Sequence, residues 1–111
     1  MKTELNSGEK VIKNGFANLL KGFEGVGGKL YLTSQRLIFE SHAINIQRGV
    51  TQINLSDVSF LEKCWTKFHS IPLLPNCLLI RTNKGEEFRF VVNRRNLWAS
   101  AVDSQKRLIN I

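Results

Sequence analysis

The chain is poor in the residues from which catalytic and metal sites are made. It has two cysteines, Cys64 and Cys77, and two histidines, His42 and His69, in 111 residues. The cysteines form no Cys-x-x-Cys pair. Cys64, His69 and Cys77 match no metal-ligand spacing and lack a fourth partner unless His42 approaches. Neither histidine belongs to a nucleophile motif, and there is no phosphate-binding glycine loop. Of paired carboxylates only Glu86-Glu87 stand together, and they alternate faces on a strand. The expectation is no enzyme, no metal and no cofactor.

Long apolar runs are missing as well. None approaches the roughly 18 residues that a spanning helix needs. The opening "MKTELNSGEKVIK" lacks the apolar stretch of a secretory leader. These absences point to a cytoplasmic protein with both thiols reduced. Acidic residues are scarce: 9 Asp and Glu face 16 Lys and Arg, for a formal charge of +7. The imbalance favours anionic lipid, nucleic acid or an acidic protein surface as partner, although a merely soluble basic surface has the same net charge.

What the chain does have is a globular composition, 42% hydrophobic and 23% charged, which argues against disorder. Without linker, repeat or low-complexity tract, residues 1–111 read as one domain with a core of about 8–110. Strand alternation dominates. Leu30 and Leu32 face inward, as do Leu37 and Phe39 after a turn at Ser34-Gln35. Ile53 and Leu55, Val58 and Phe60, Leu78 and Ile80, and Phe88, Phe90 and Val92 continue the series. Thr82–Glu86 is a hairpin loop with Gly85 at its tip. Gly25, Gly27 and Gly28 mark a tight connection, and a first strand lies around Ala17 to Gly22. The period then changes: Leu97, Trp98, Ala101, Val102, Leu108 and Ile109 describe an amphipathic helix with Asn93 as N-cap.

The ordered pieces "GVGGKLYLTSQRLIFESH", "INLSDVSFLEK", "LLIRTNKGEEFRF" and "NRRNLW" resemble the GRAM domain family. The resemblance runs from about Gly8 to Val102 and is carried most specifically by Gly28–Thr33 followed by Arg36–Phe39. It implies a mainly β (α+β), pleckstrin-homology-like fold: a partly open barrel of about seven antiparallel strands in two sheets, capped by a C-terminal α-helix. It also implies a binding module at membrane surfaces, without catalytic activity. A stand-alone, single-domain member is expected, which argues against a role as a targeting module within a larger enzyme.

Two groups of residues are candidates for contact. Arg94 and Arg95 fall in the first helical turn, where cations cost up to about 1 kcal/mol, so helix stability does not explain them. With backbone N–H groups they can form an anion pocket, or they are simply solvated or paired with Glu86 or Glu87. Arg81 and Arg89, on the outward faces of neighbouring strands, and Lys63 and Lys67 extend the basic set. Arg36 is read as structural, bonding strand-end carbonyls or Asp57.

The second group is the stretch "EKCWTKFHSIPLLPNCLLI". Here Trp65, Phe68, Leu73 and Leu74 can form an apolar loop tip at 65–74 with a basic collar, or part of this stretch can fold over the barrel end as core. His42 and Arg48 belong to a further loop, 41–52. A few cations on anionic lipid give only a millimolar-class interaction, so a second anchor is needed. The expected function is peripheral association with anionic membrane headgroups. The alternative is a protein–protein or self-assembly module, homo-oligomers included, using the 65–74 loop. Nucleic acid is the least favoured partner, because no aromatic-and-basic strand signature is present.

Overall fold

The structure is a computed structural model that describes residues 1–21, 24–42, 49–68 and 71–109, with the backbone alone at 24, 66–68 and 71–75. Its strands are β1 (Val11–Lys21), β2 (Glu24–Thr33), β3 (Arg36–Ser41), β4 (Val50–Asn54), β5 (Val58–Phe68), β6 (Ile71–Thr82) and β7 (Glu87–Val92), followed by the helix α1 (Arg95–Ile109). Every strand pair is antiparallel. Two sheets were expected, but the strands form one, in the order β4-β3-β2-β1-β7-β6-β5. The reason is β1, which pairs with β2 along its whole length and also with β7 through Ala17–Leu20. β4 and β5 remain as edges, so the sheet does not close. α1 packs on the curved sheet, with Trp98 and Val102 buried in the core.

The period-2 pattern places most of that core. Leu30, Leu32, Leu37, Phe39, Ile53, Leu55, Leu78, Ile80, Phe90 and Val92 are all buried. Phe60 is the exception. Ser59 is an extra residue in β5, since Val58 opposes Thr82 and Phe60 already opposes Arg81. Such a bulge reverses the facing of the strand residues beyond it. Val58 and Leu61 therefore meet the core while Phe60 turns out beneath the Arg81 guanidinium, 5.0 Å from its ring centroid.

The glycine run also departs from expectation. Gly25, Gly27 and Gly28 lie within β2 rather than in a turn. Gly28 is needed for close approach: a Cβ there would sit 2.3 Å from the Glu40 carbonyl oxygen and 2.8 Å from Phe39 Cζ. Asn93 does not cap α1. Arg94 directly precedes the helix at φ 55°, and its carbonyl accepts from the Leu97 and Trp98 amides. Gly85 has φ 84° in the β6–β7 turn, as its place in the hairpin predicts.

Every residue of β3 is buried, on both faces. The N-terminal residues cover its second side and hold it with a polar knot. The buried Glu9 carboxylate accepts from Arg36 Nε at 2.8 Å and from the Thr33 hydroxyl at 2.6 Å. Arg36 also donates to Gln52 and to the Glu4 carbonyl. The structural reading of Arg36 holds, but its partner is Glu9 rather than Asp57. Glu40 is bound the same way, by the Lys2 and Thr3 amides and the Thr3 hydroxyl.

The apolar stretch expected as a loop is strand at 65–68 and 71–74, and residues 69 and 70 lie outside the described ones. β5 runs to Phe68 and β6 starts at Ile71. Pro72 and Pro75 are admitted because β6 pairs with β7 only from Cys77 onward, so the proline segment has a partner on one side alone. Two register shifts, between Cys64 and Thr66 and between Thr66 and Lys67, bend this hairpin as it leaves the sheet. At its base Cys64 and Cys77 face each other with Cα atoms 4.7 Å apart and are joined as a disulfide. The expectation of two reduced thiols is corrected by this placement: directly opposed strand residues at such a distance have the geometry that a disulfide requires.

Candidate functional site

β1 and β7 part beyond the Ala17–Val92 pair, on the N-terminal side of Ala17, where β7 ends and the chain turns through Arg94 into α1. Two adjoining depressions open at this seam. One, of about 530 Å³, is lined by Phe16, Ala17, Asn18, Gly27, Gly28, His42, Asn76, Val91, Val92 and Asn93. The other, of about 610 Å³, is lined by Asn76 and residues 92–97. They share Asn76, Val92 and Asn93, and among the described residues no carboxylate lines either one.

The rim is aromatic and basic. Phe16 is 72% exposed, its ring centroid 6.0 Å from that of His42. The Lys29 ammonium stands 5.9 Å from the Phe16 ring and 5.6 Å from the Tyr31 ring. Lys13 lies 5.1 Å from the ring of buried Trp98. Exposed contacts of this kind are worth about 0.5–1 kcal/mol, enough to orient an ammonium without neutralising it. Tyr31 is pushed above the usual tyrosine range by burial and by the nearby Glu40 charge.

These cations lack acidic partners because the acids are engaged elsewhere. Glu40 opposes Lys29 across β2 and β3, yet its carboxylate is held by the N-terminal residues. Burial pushes Glu40 up, but the Thr3 hydroxyl and the Lys2 and Thr3 amides outweigh it and leave the carboxyl below its ordinary range. Glu9 serves Arg36, Glu87 serves Arg81 and Arg89, and Asp103 serves Arg107. Among the described residues no ion pair involves Lys13, Lys29 or Arg94.

The predicted contact residues divide accordingly. Arg94 and His42 border the groove. Arg95 lines it too, but its guanidinium donates to the Cys64 carbonyl and ties α1 to β5. Lys63 reaches Asn96 Oδ1 at 3.0 Å. Arg81 and Arg89 are neighbours, as their strands imply, yet both converge on Glu87, whose carboxyl is drawn below its usual range first by the Arg81 hydrogen bond. They sit away from the groove. Trp65 is exposed on the hairpin, beside Glu62 and Leu79. Arg48 lies outside the described residues, as do the side chains of Lys67, Phe68, Leu73 and Leu74.

Phe16, Lys13, Lys29 and Leu97 are not among the predicted contacts. Phe16 was legible by parity, because its strand neighbours Ala17 and Leu19 are inward and alternation sends Phe16 out. Lys13 and Lys29 had no such signal. Their meaning depends on where the acids go.

The same architecture recurs in solved structures. A C-terminal domain from Leishmania infantum superposes with a TM-score of 0.74 at 18% identity, over 90% of this chain and 86% of that one. The N-terminal PH domain of Vps36 gives 0.73 at 20% identity, over 96% and 85%. The Slm1 PH domain, solved in complex with phosphoserine, gives 0.62 at 19% identity, over 91% and 97%. At these identities the likeness establishes the fold, which is that of a pleckstrin-homology domain. No curated protein sequence matches the chain. The GRAM domain profile matches residues 1–97, and the chain belongs to the GRAM domain family.

Proposed function

We propose that the protein is a non-enzymatic binding module that associates peripherally with anionic membrane headgroups, and that the groove at the β1–α1 seam receives the headgroup. One observation carries this reading. Arg94 lines the groove, Lys29 stands over its rim residue Phe16 and Lys13 lies over Trp98, while no described carboxylate lines the groove and Glu9 and Glu40 are bound elsewhere. Arg94 and Lys29 would meet phosphate oxygens; Phe16 and His42 would pack on the apolar side of a headgroup.

The Slm1 PH domain has been solved with inositol 4-phosphate as well as with phosphoserine, and both are phosphate esters. That supports a phosphate-bearing ligand for this fold. No helix among the described residues is long and apolar enough to cross a membrane. A peripheral position at a membrane face accords with the proposal.

The test is co-sedimentation with phosphatidylcholine vesicles with and without phosphatidylserine or phosphatidylinositol phosphates, at low and moderate salt. The proposal expects binding to the anionic vesicles alone, weakening as salt rises. Failure to sediment at low salt would end it. A protein-partner reading has its own observation, the exposed Trp65 on edge strand β5. Sedimentation velocity with a Trp65→Ala variant tests that reading. Concentration-dependent association that the variant abolishes would support self-assembly through the hairpin.

A further inference from the structure

We infer that the membrane-facing surface is the β1–α1 seam itself, with Phe16 and Leu97 as the apolar anchors that enter the bilayer interface between the cations. This rests on the anionic-membrane reading above and adds to it the face, the depth and the residues of contact. The sequence placed an apolar anchor at 65–74 instead.

Phe16 is 72% and Leu97 51% exposed. Single exposed hydrophobic residues are ordinary on any surface. This pair is different because of its setting. A Cβ at Gly15, next to Phe16, would lie 3.5 Å from Trp98 Cζ2, and Trp98 is next to Leu97. The tip of the Trp98 ring thus reaches the inward side of β1, while Phe16 and Leu97 line the two adjoining depressions, which share Asn76, Val92 and Asn93. On α1, Asn96 bonds Lys63 of β5, and Ala99, Ser100 and Asp103 line the cleft towards that strand. Leu97 lies off that side of the helix.

Charge selects the occupant. Phe16 with Lys29 over its ring and Leu97 beside Arg94, with Lys13 over neighbouring Trp98 and no described carboxylate in the groove lining, match a surface that is apolar inside and negative at its face. That is an anionic bilayer. Two other exposed aromatic residues have carboxylates close by: Trp65 shares its depression with Glu62 as well as Lys63 and Arg89, and Phe60 lies under an Arg81 already paired with Glu87. Three cations alone give weak attachment, and the two anchors supply the second signal.

The test compares wild type, Phe16→Ser/Leu97→Ser and Trp65→Ser by co-sedimentation with phosphatidylcholine–phosphatidylserine vesicles, after melting curves show all three folded. The inference expects the double variant to bind about tenfold or more weakly, with Trp65→Ser unchanged. Wild-type binding that survives in the double variant, or is lost in Trp65→Ser, overturns this inference and leaves the headgroup reading standing. No wild-type binding overturns both. If the double variant does not fold, Phe16→Trp in a Trp65→Phe background replaces it. Its emission shifts to the blue on the anionic vesicles if residue 16 inserts, and an unshifted emission overturns the inference.

Discussion

Arg36 and Glu9 form a closed ion pair across 27 residues of sequence, Nε to Oε2 at 2.8 Å and a second guanidinium nitrogen to Oε1 at 3.0 Å. The Glu9 side chain has no exposure and the Arg36 side chain 9%. This pair fastens the N-terminal residues over β3. It also removes the charge of Arg36 from the surface, so the cations proposed to meet a ligand are other ones.

Acid should weaken this fastening in a defined window. The Arg36 hydrogen bond, against the opposing effect of burial and with help from Thr33 and the Asn6 amide, lowers the Glu9 pKa from 4.5 to about 2. A depressed folded-state pKa means stability that is fully present above about 4.5 and lost as pH falls towards 2. Its size is on the order of 3 kcal/mol. Urea unfolding of wild type should show this loss. Glu9→Gln should be less stable at pH 7 by about 3 kcal/mol, because Arg36 is left buried without its partner, and should lose less stability between pH 5 and 2. Parallel pH profiles for the two proteins would contradict the assignment.

The Cys64–Cys77 bond predicts a second outcome. Native protein should show no free thiol by thiol titration and two after reduction and denaturation. Cys64→Ala/Cys77→Ala should lower unfolding stability by about 2–3 kcal/mol, in line with a closed loop of this size. Adding reductant to the wild type should have the same effect.

Alternation along the strands carried most of the fold, and the points where it misled share one physical cause. Local periodicity is blind to what covers the other face. Ile38 and Glu40 fall on the outward parity of β3 and are buried all the same, because residues 1–9 pack over them. Phe60 reads as inward until Ser59 is seen as a bulge, which depends on the register with Arg81. The proline segment reads as a turn until β7 is found to stop short of it. Arg94 was legible as a cation where helix stability does not want one. Lys29 was not, because its lack of an ion pair among the described residues depends on its strand neighbour Glu40 being held by Thr3.

Gly28 offers a sharp steric test. Its missing Cβ would meet the Glu40 carbonyl oxygen at 2.3 Å and Ser41 Cα at 2.7 Å, backbone atoms that cannot turn aside. Gly28→Ala should cost about 1–3 kcal/mol or more, measured by thermal or urea unfolding. Gly25→Ala, whose nearest contact would be an ordinary 3.7 Å, should cost well under 1 kcal/mol.

Arg94 should show a trade between stability and binding. A non-glycine residue at φ 55° carries a backbone cost of about 1–2 kcal/mol, which glycine does not incur. Arg94→Gly should therefore be as stable as wild type or up to about 1 kcal/mol more stable, since glycine loses some of that gain to chain entropy. The same variant should bind anionic vesicles more weakly. A stabilised variant with unchanged binding would place Arg94 outside the contact surface.

The most direct test of the account reverses charge at the groove and away from it. Lys29→Glu/Arg94→Glu is compared with Lys84→Glu/Lys106→Glu, which changes the net charge equally, in sedimentation with phosphatidylcholine–phosphatidylserine vesicles at low salt. The account predicts that the groove pair loses binding by about thirtyfold or more while the distant pair loses much less. Equal losses in the two variants would mean that net charge alone drives association, and would contradict a headgroup site at the β1–α1 seam.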